Sequence, residues 1–247
     1  MRLLPEEVLR REASQLCQRV HARGWVANHD GNVSIRLEGG GFLASPTAVS
    51  KADVSPESLL VLDAEGKVLS GGRKVFSEFA LHLAVFRARP DVSWVLHAHP
   101  PSATGFAVSG EALFDPPFMA EPVVSLGACV PTVAYAAPGS STFGLEAAIS
   151  DVDAVLLGNH GVLTVGSDAE SAYLRMELVE HLARIQVVAR QLGGPRPIPA
   201  EDVEKLLEAR KKAGLGGGAR STPSVVAPPP AVGDVAALVQ EALRRYR

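Results

Sequence analysis

Cysteine is scarce in this chain: Cys17 and Cys129 are the only two among 247 residues. They lie far apart and match neither a metal-ligand spacing nor a disulfide framework, so both read as buried free thiols. Long apolar runs are also missing. None approaches the roughly 20 residues a membrane-spanning helix needs. Residues 1–24 carry a charge every few positions, which does not fit a signal peptide. No basic excess exists either: 24 Lys and Arg stand against 27 Asp and Glu, for a net charge of −3. That balance gives no reason to expect a nucleic-acid partner, and it is too weakly acidic to suggest disorder. No internal repeat is visible. What is present is apolar material, 47% of the residues, enough for the core of one large α/β domain. The expectation is a cytoplasmic protein acting on a small molecule, without membrane or nucleic acid.

Periodicity places the elements. Leu9, Ala13, Leu16 and Val20 form the apolar stripe of a helix over 6–23, opened by Pro5 and stopped by Gly24. Residues 28–34 read as a polar loop leading into a short strand, followed by a glycine turn at 39–41 and a returning strand from Phe42 to Ser45. Ser55-Pro56-Glu57 is a helix-start signature. Residues 59–63 and the segment after Gly66 read as a hairpin. A helix is predicted over 77–88, ended by Pro90. Buried strands are predicted over 92–98, 153–157 and 162–165, the last two joined by the turn Gly158-Asn159-His160-Gly161. Ser167 with Glu170 suggests a capping box opening a helix that runs to Gly193. A further helix covers 199–213. The irregular interleaving predicts a mixed sheet covered by helices rather than a doubly wound parallel one. Residues 1–213 are thus assigned to one α/β domain, the Gly- and Pro-rich residues 214–232 to a linker or mobile loop, and 233–247 to an amphipathic helix.

Four short patterns carry chemistry. In His97-Ala98-His99 the strand period of two sends both imidazoles to one face, a spacing that suits a shared metal ion. His160 sits in the turn between two buried strands, where flanking glycines leave room for a tight, left-handed turn. Glu78 follows Phe76-Ser77 at a helix start, where it serves either as N-terminal charge stabilisation or as a general base or fourth ligand. Asp30-Gly31-Asn32-Val33-Ser34 is either an ordinary polar turn or a nest of donors for an anion. Each pattern alone has an ordinary structural explanation.

Together, in this order and spacing, they resemble the class II aldolase/adducin family, of which fuculose-phosphate aldolase is a representative; the likeness spans about residues 6–190. The resemblance implies a three-layer α/β/α fold and one divalent ion per subunit, zinc first and manganese, cobalt or iron otherwise. By motif the ion would be held by His97, His99 and His160. Glu78 takes the place of the aldolase acid/base residue, where the epimerases carry an aspartate; in the resting state it can also fill a ligand position. The implied reaction is carbon–carbon cleavage through a metal-stabilised enediolate. The anion-binding part is implied to involve His29, Asn32, Thr47 and Ser77, with three departures from the sugar-phosphate enzymes. His29 stands where they have threonine, Ala48 where they have glycine, and Phe76 where they have a first serine, which removes a donor and adds bulk. These departures lean towards a carboxylate or another smaller substrate. No tyrosine stands near Phe114 to Phe118 to donate a proton to a departing aldehyde; of Tyr135, Tyr173 and Tyr246, only the last is expected to reach a site, that of a neighbouring subunit. Decarboxylation, epimerisation and a non-enzymatic adducin-like binding role are the alternatives. A homotetramer is the assembly the family implies.

Overall fold

The computed structural model describes residues 5–135 and 144–216. Helix α1 (Glu6–Ala22) buries Leu9, Ala13, Leu16 and Val20, as their spacing predicts. Strands β1 (Asn32–Arg36) and β2 (Phe42–Ala44) follow, then a 3-10 turn over Pro56–Ser58 capped by Ser55, then β3 (Leu60–Leu62) and β4 (Val68–Ser70). Helix α2 (Phe79–Ala88) leads to β5 (Trp94–Ala98). Between residues 99 and 152, where the sequence predicts no element, stand α3 (Pro101–Ser109), α4 (Ala120–Ser125), β6 (Thr132–Val133) and α5 (Leu145–Ile149). Strands β7 (Ala154–Leu157) and β8 (Gly161–Gly166) and helices α6 (Ala169–Gln191) and α7 (Ala200–Lys212) complete the order.

The strands form one eight-stranded sheet in the order β4-β3-β2-β1-β5-β8-β7-β6. Every neighbouring pair is antiparallel except β6 with β7, which is parallel. The mixed sheet is as predicted. Helices cover both faces, which is why the central strands read as continuous apolar runs. On one face Val33, Ile35, Leu96, Ala98 and Val162 pack with residues of α1, α3 and α6. On the other, Val95, Val155, Leu163 and Val165 pack with residues of α2 and α5.

One cap differs from expectation. The box that opens α6 is Asp168 with Ser171, not Ser167 with Glu170: the Asp168 carboxylate accepts from the Ser171 amide at 2.7 Å. A carboxylate is the stronger acceptor for a helix N-terminus. Ser167 donates to that same carboxylate at 3.1 Å, and Glu170 pairs with Arg19 instead. The expected C-terminal helix, and the linker beyond residue 216, lie outside the described residues.

Buried charge gathers at one point, at the start of β7. Asp153, with no exposed surface, accepts from Arg89 at 2.8 Å and pairs with Arg175 at 3.0 Å and with Arg210 of α7. Arg89 also reaches Asp91 and the carbonyls of Ile149 and Val152. These contacts tie α2, α5, α6 and α7 to the start of β7.

Candidate metal centre

The site forms where β5 and β8 end. β5 pairs with β1 on one side and β8 on the other, so Asn32 stands opposite His97 on one edge and Leu163 on the other. His97 and Val95 share the sheet face that α2 covers. His99, two residues on, falls on that face just beyond the strand, as the period-two argument predicts. His160 enters from the β7–β8 turn. The ring centroids of His97, His99 and His160 lie 4.5 to 5.1 Å apart. One nitrogen from each ring falls in a group no more than 4.8 Å across.

The turn works differently from the sequence reading. Its left-handed residue is Asn159, at φ 56°, not a glycine. The glycines instead permit close approach. A Cβ on Gly161 would stand 2.4 Å from His99 Cδ2 and 2.7 Å from the Ala98 carbonyl oxygen. One on Gly158 would stand 3.0 Å from the Val133 carbonyl oxygen. Gly161 therefore forms the floor on which the His99 ring rests.

Hydrogen bonds set the tautomers. His97 is almost fully buried and its Nδ1 lies 2.9 Å from the Val162 carbonyl oxygen. A carbonyl only accepts, so Nδ1 carries the proton. Burial pushes the His97 pKa down to about 3, so the ring is neutral near pH 7 and Nε2 holds a lone pair. His99 turns Nδ1 towards Asp30 at 3.4 Å, and burial lowers its pKa too. The Nε2 atoms of His97 and His99 then face each other at 3.1 Å. Two lone pairs directed at one point repel unless a cation lies between them. Two imidazoles on a tetrahedral ion at roughly 2.0–2.1 Å stand about 3.3 Å apart, close to this spacing. The residues present fit a divalent ion held by three imidazole nitrogens.

Glu78 occupies the N-cap position of α2, yet its side chain caps nothing. Its carboxylate turns into the site. Oε1 lies 3.0 Å from His160 Nε2, and Oε2 lies 3.8 Å from His97 Nε2 while accepting from Asn32 Nδ2 at 2.6 Å. Burial opposes ionisation here. The hydrogen bond from His160, followed by the electrostatic pull of the neighbouring imidazoles, outweighs it and holds the carboxyl at about 2. Glu78 is thus an anion at neutral pH.

Of the residues expected to bind the substrate's anionic end, only Asn32 joins this cluster. His29 is exposed, and its carbonyl accepts from the buried Lys51 ammonium at 3.2 Å. Thr47 is half-buried beside Ala48, which adopts φ 56°. Ser77 is exposed next to Glu78. Among the described residues no side-chain hydrogen bond links these three to the histidines. Phe76, expected to add bulk to the site, is instead buried in the core, edge-on to Phe79 and His82. Tyr173 packs against Trp25 in the opposite core, whereas exposed Tyr135 follows β6 with its backbone nitrogen against Gly158, in the turn that carries His160. Tyr246 lies outside the described residues. The contacts that sequence reasoning missed are Asp30 to His99 and Asn32 to Glu78; the only signal for them was that Asp30 and Asn32 alternate within one polar loop.

A three-histidine centre with an adjacent carboxylate, at the end of a mixed sheet, defines a class of metal-site α/β proteins. The sequence profile of the Class II Aldolase and Adducin N-terminal domain matches residues 11–187, and the chain belongs to that family. It is 30% identical to the 5-deoxy-D-ribulose 1-phosphate aldolase of Bacillus thuringiensis over 196 residues, 78% of this chain and 90% of the relative. It is also 30% identical to the 3-oxo-tetronate 4-phosphate decarboxylase of Escherichia coli over 212 residues, 83% of this chain and 96% of the relative. Among solved structures, the L-fuculose-1-phosphate aldolase of Thermus thermophilus superposes with a TM-score of 0.64 at 27% identity, covering 77% of this chain and 98% of that one. The relatives are enzymes acting on small phosphorylated compounds. Among the described residues no helix is long and apolar enough to cross a membrane.

Proposed function

We propose that this chain is a metal-dependent carbon–carbon lyase of aldolase type, acting on a small hydroxylated carbonyl compound. One observation carries the reading: an ionised Glu78 carboxylate is held 3.0 Å from one histidine of the triad and 3.8 Å from another. His97, His99 and His160 would hold one divalent ion, zinc by preference for three nitrogen donors, with manganese, cobalt or iron as alternatives. Bound there, the ion supplies Lewis-acid stabilisation of negative charge developing on substrate oxygens.

The protein's own groups do the rest. Asn32 holds one oxygen of Glu78; the other, turned to His160, would exchange that contact for a substrate hydroxyl, take its proton and return it to carbon. Its low pKa keeps it in the accepting form at neutral pH. The buried His97 and the sheet beneath it close one side of the site to water. His29, Thr47 and Ser77 are proposed to meet the substrate's anionic end. We assign residues 1–213 to the catalytic domain, followed by the linker 214–232 and the helix 233–247, and expect a cytoplasmic homotetramer.

Decarboxylation of an oxo-acid is the second reading. It is favoured by the decarboxylase relative, of which this chain covers 96%, because both reactions leave a carbanion beside a carbonyl and need the same charge stabilisation. Carbon dioxide release without an aldehyde product separates the two.

The test is metal content per chain by mass spectrometry, on protein purified without a histidine tag, followed by turnover of sugar phosphates and oxo-acids. Wild type should hold about one ion and His99→Ala none. Glu78→Gln should keep the ion and lose roughly 100-fold or more in turnover. A wild type that takes up no added zinc, manganese, cobalt or iron would bring the adducin-like binding role forward.

A further inference from the structure

Helix α2 lies across β1 with two polar contacts between them. At its N-cap, Glu78 accepts from Asn32 at 2.6 Å. One helical turn later, His82 Nδ1 lies 2.6 Å from the Ser34 hydroxyl. Asn32 and Ser34 are i and i+2 on the strand, hence on one face; Glu78 and His82 are i and i+4 on the helix, hence on one stripe. The two contacts are rungs between the same two elements.

The second rung is unusual for its setting. Ser34 has no exposed surface and His82 is 1% exposed. Around them the core is apolar: Phe76 stands edge-on to the His82 ring at 4.9 Å, and Val95, Phe79 and Ala44 belong to the same cluster. His82 Nε2 has no hydrogen-bond partner. A buried, half-satisfied imidazole costs stability, and an apolar side chain of similar volume would cost less. A buried polar group with one partner left unmet calls for an account beyond packing. Its position supplies one. The Glu78 carboxylate sits between Asn32 and His160, yet it projects from the end of a helix whose first turn has no side-chain cap. A directional bond one turn away adds a fixed point against α2 sliding or rotating on the sheet, beyond what its apolar contacts supply.

We propose that the Ser34–His82 pair is a positioning device: it sets the register of α2 on β1 and so aims Glu78 at the histidine centre. His82 touches neither substrate nor the reacting atoms. The inference rests on the acid–base reading of Glu78.

Three variants test it. Ser34→Ala removes the partner, and His82→Leu removes the whole rung. His82→Asn keeps a hydrogen-bonding atom where Nδ1 stands. Each is assayed for zinc content, for kcat and KM on the compound that wild type turns over, and for thermal unfolding. The first two should bind zinc normally and lose about 10-fold in kcat, with KM within about twofold, because misplacing a proton-transfer group affects the transition state more than binding. His82→Asn should recover most of that loss. A crystal structure of zinc-free Ser34→Ala should show the Glu78 carboxylate displaced from His160, and this readout needs no substrate. The proposal is overturned if Glu78 keeps its place in that structure, if kcat stays within twofold, or if zinc is lost together with kcat, which would move the effect to His97. Should Glu78→Gln, assayed alongside, turn over normally, the acid–base reading fails instead, while a displaced Glu78 in the Ser34→Ala crystal would still support the register device.

Discussion

At the scale of single residues, two small side chains do opposite things to their backbone. Gly161 is in the ordinary φ range but has no space for a side chain, because His99 Cδ2 would lie 2.4 Å from its Cβ. Gly161→Ala must therefore push the His99 ring away from His97 or shift the turn carrying His160. The expected outcome is a zinc affinity lower by about 10-fold or more and a stability loss of roughly 1–3 kcal/mol, read by calorimetric titration and urea unfolding. An unchanged affinity would mean that the His99 ring is not seated on this floor. Ala48 has space but pays in conformation, at φ 56°. The left-handed region costs an L-residue roughly 1–2 kcal/mol, and glycine returns about 0.5–1 of that as unfolded-chain entropy. Ala48→Gly should thus stabilise the protein by about 0.5–1 kcal/mol, seen as a higher urea midpoint at constant slope.

At the scale of elements, Asp153 shows how helices are held to the sheet. It is the shared partner of Arg89, Arg175 and Arg210. Removing the aspartate leaves three guanidinium groups without it, of which, among the described residues, only Arg89 keeps another carboxylate ion pair, with Asp91. Asp153→Asn should cost about 3–5 kcal/mol in urea unfolding. Arg210→Met leaves Asp153 two partners and should cost clearly less, while speeding amide exchange in α7 alone; equal losses would show that Arg210 carries the network. These contacts explain what the sequence could convey. The long helices, the buried strands and the shared face of His97 and His99 were legible because each is local and periodic. Helices α3, α4 and α5 were not: each is under ten residues, and α3, with Ser, Thr and Gly scattered among Ala, Phe and Val, has little polar contrast between its faces. The α6 cap was off by one position because Ser167 and Asp168 are both capable caps and the stronger acceptor prevails. The three histidines that converge were recognisable as a set, and so was Glu78. Its contact with Asn32, 46 residues away, depends on how α2 lies on β1, and no local pattern encodes that.

At the scale of the whole molecule, the buried site makes stability depend on acid. Burial holds His82 and His97 at about 3, against 6.5 for a free imidazole. Between these values the unfolded chain binds protons that the folded chain refuses. Their contribution is therefore fully present above pH 6.5 and is lost progressively as pH falls towards 3. Glu78 acts with the same sign in a lower window. Its carboxyl is held at about 2 against 4.5, so its contribution is present above pH 4.5 and is lost below that. Each group can contribute a slope of up to about 1.4 kcal/mol per pH unit. Chelator-treated protein should thus unfold at lower urea at pH 5 than at pH 7.5. His82→Leu, which deletes one of the refused protons, should flatten that dependence by up to about 1.4 kcal/mol per pH unit between pH 6 and 4.5. A slope unchanged in the variant would mean that His82 takes up its proton in the folded state. Added zinc separates the site from the core. It binds only the neutral imidazoles of the folded chain, so it should raise the urea midpoint at pH 7.5 and lose that effect on acidification. His99→Ala should abolish the zinc-dependent part and leave the slope contributed by His82 in place, because that ring titrates inside the core and not at the metal.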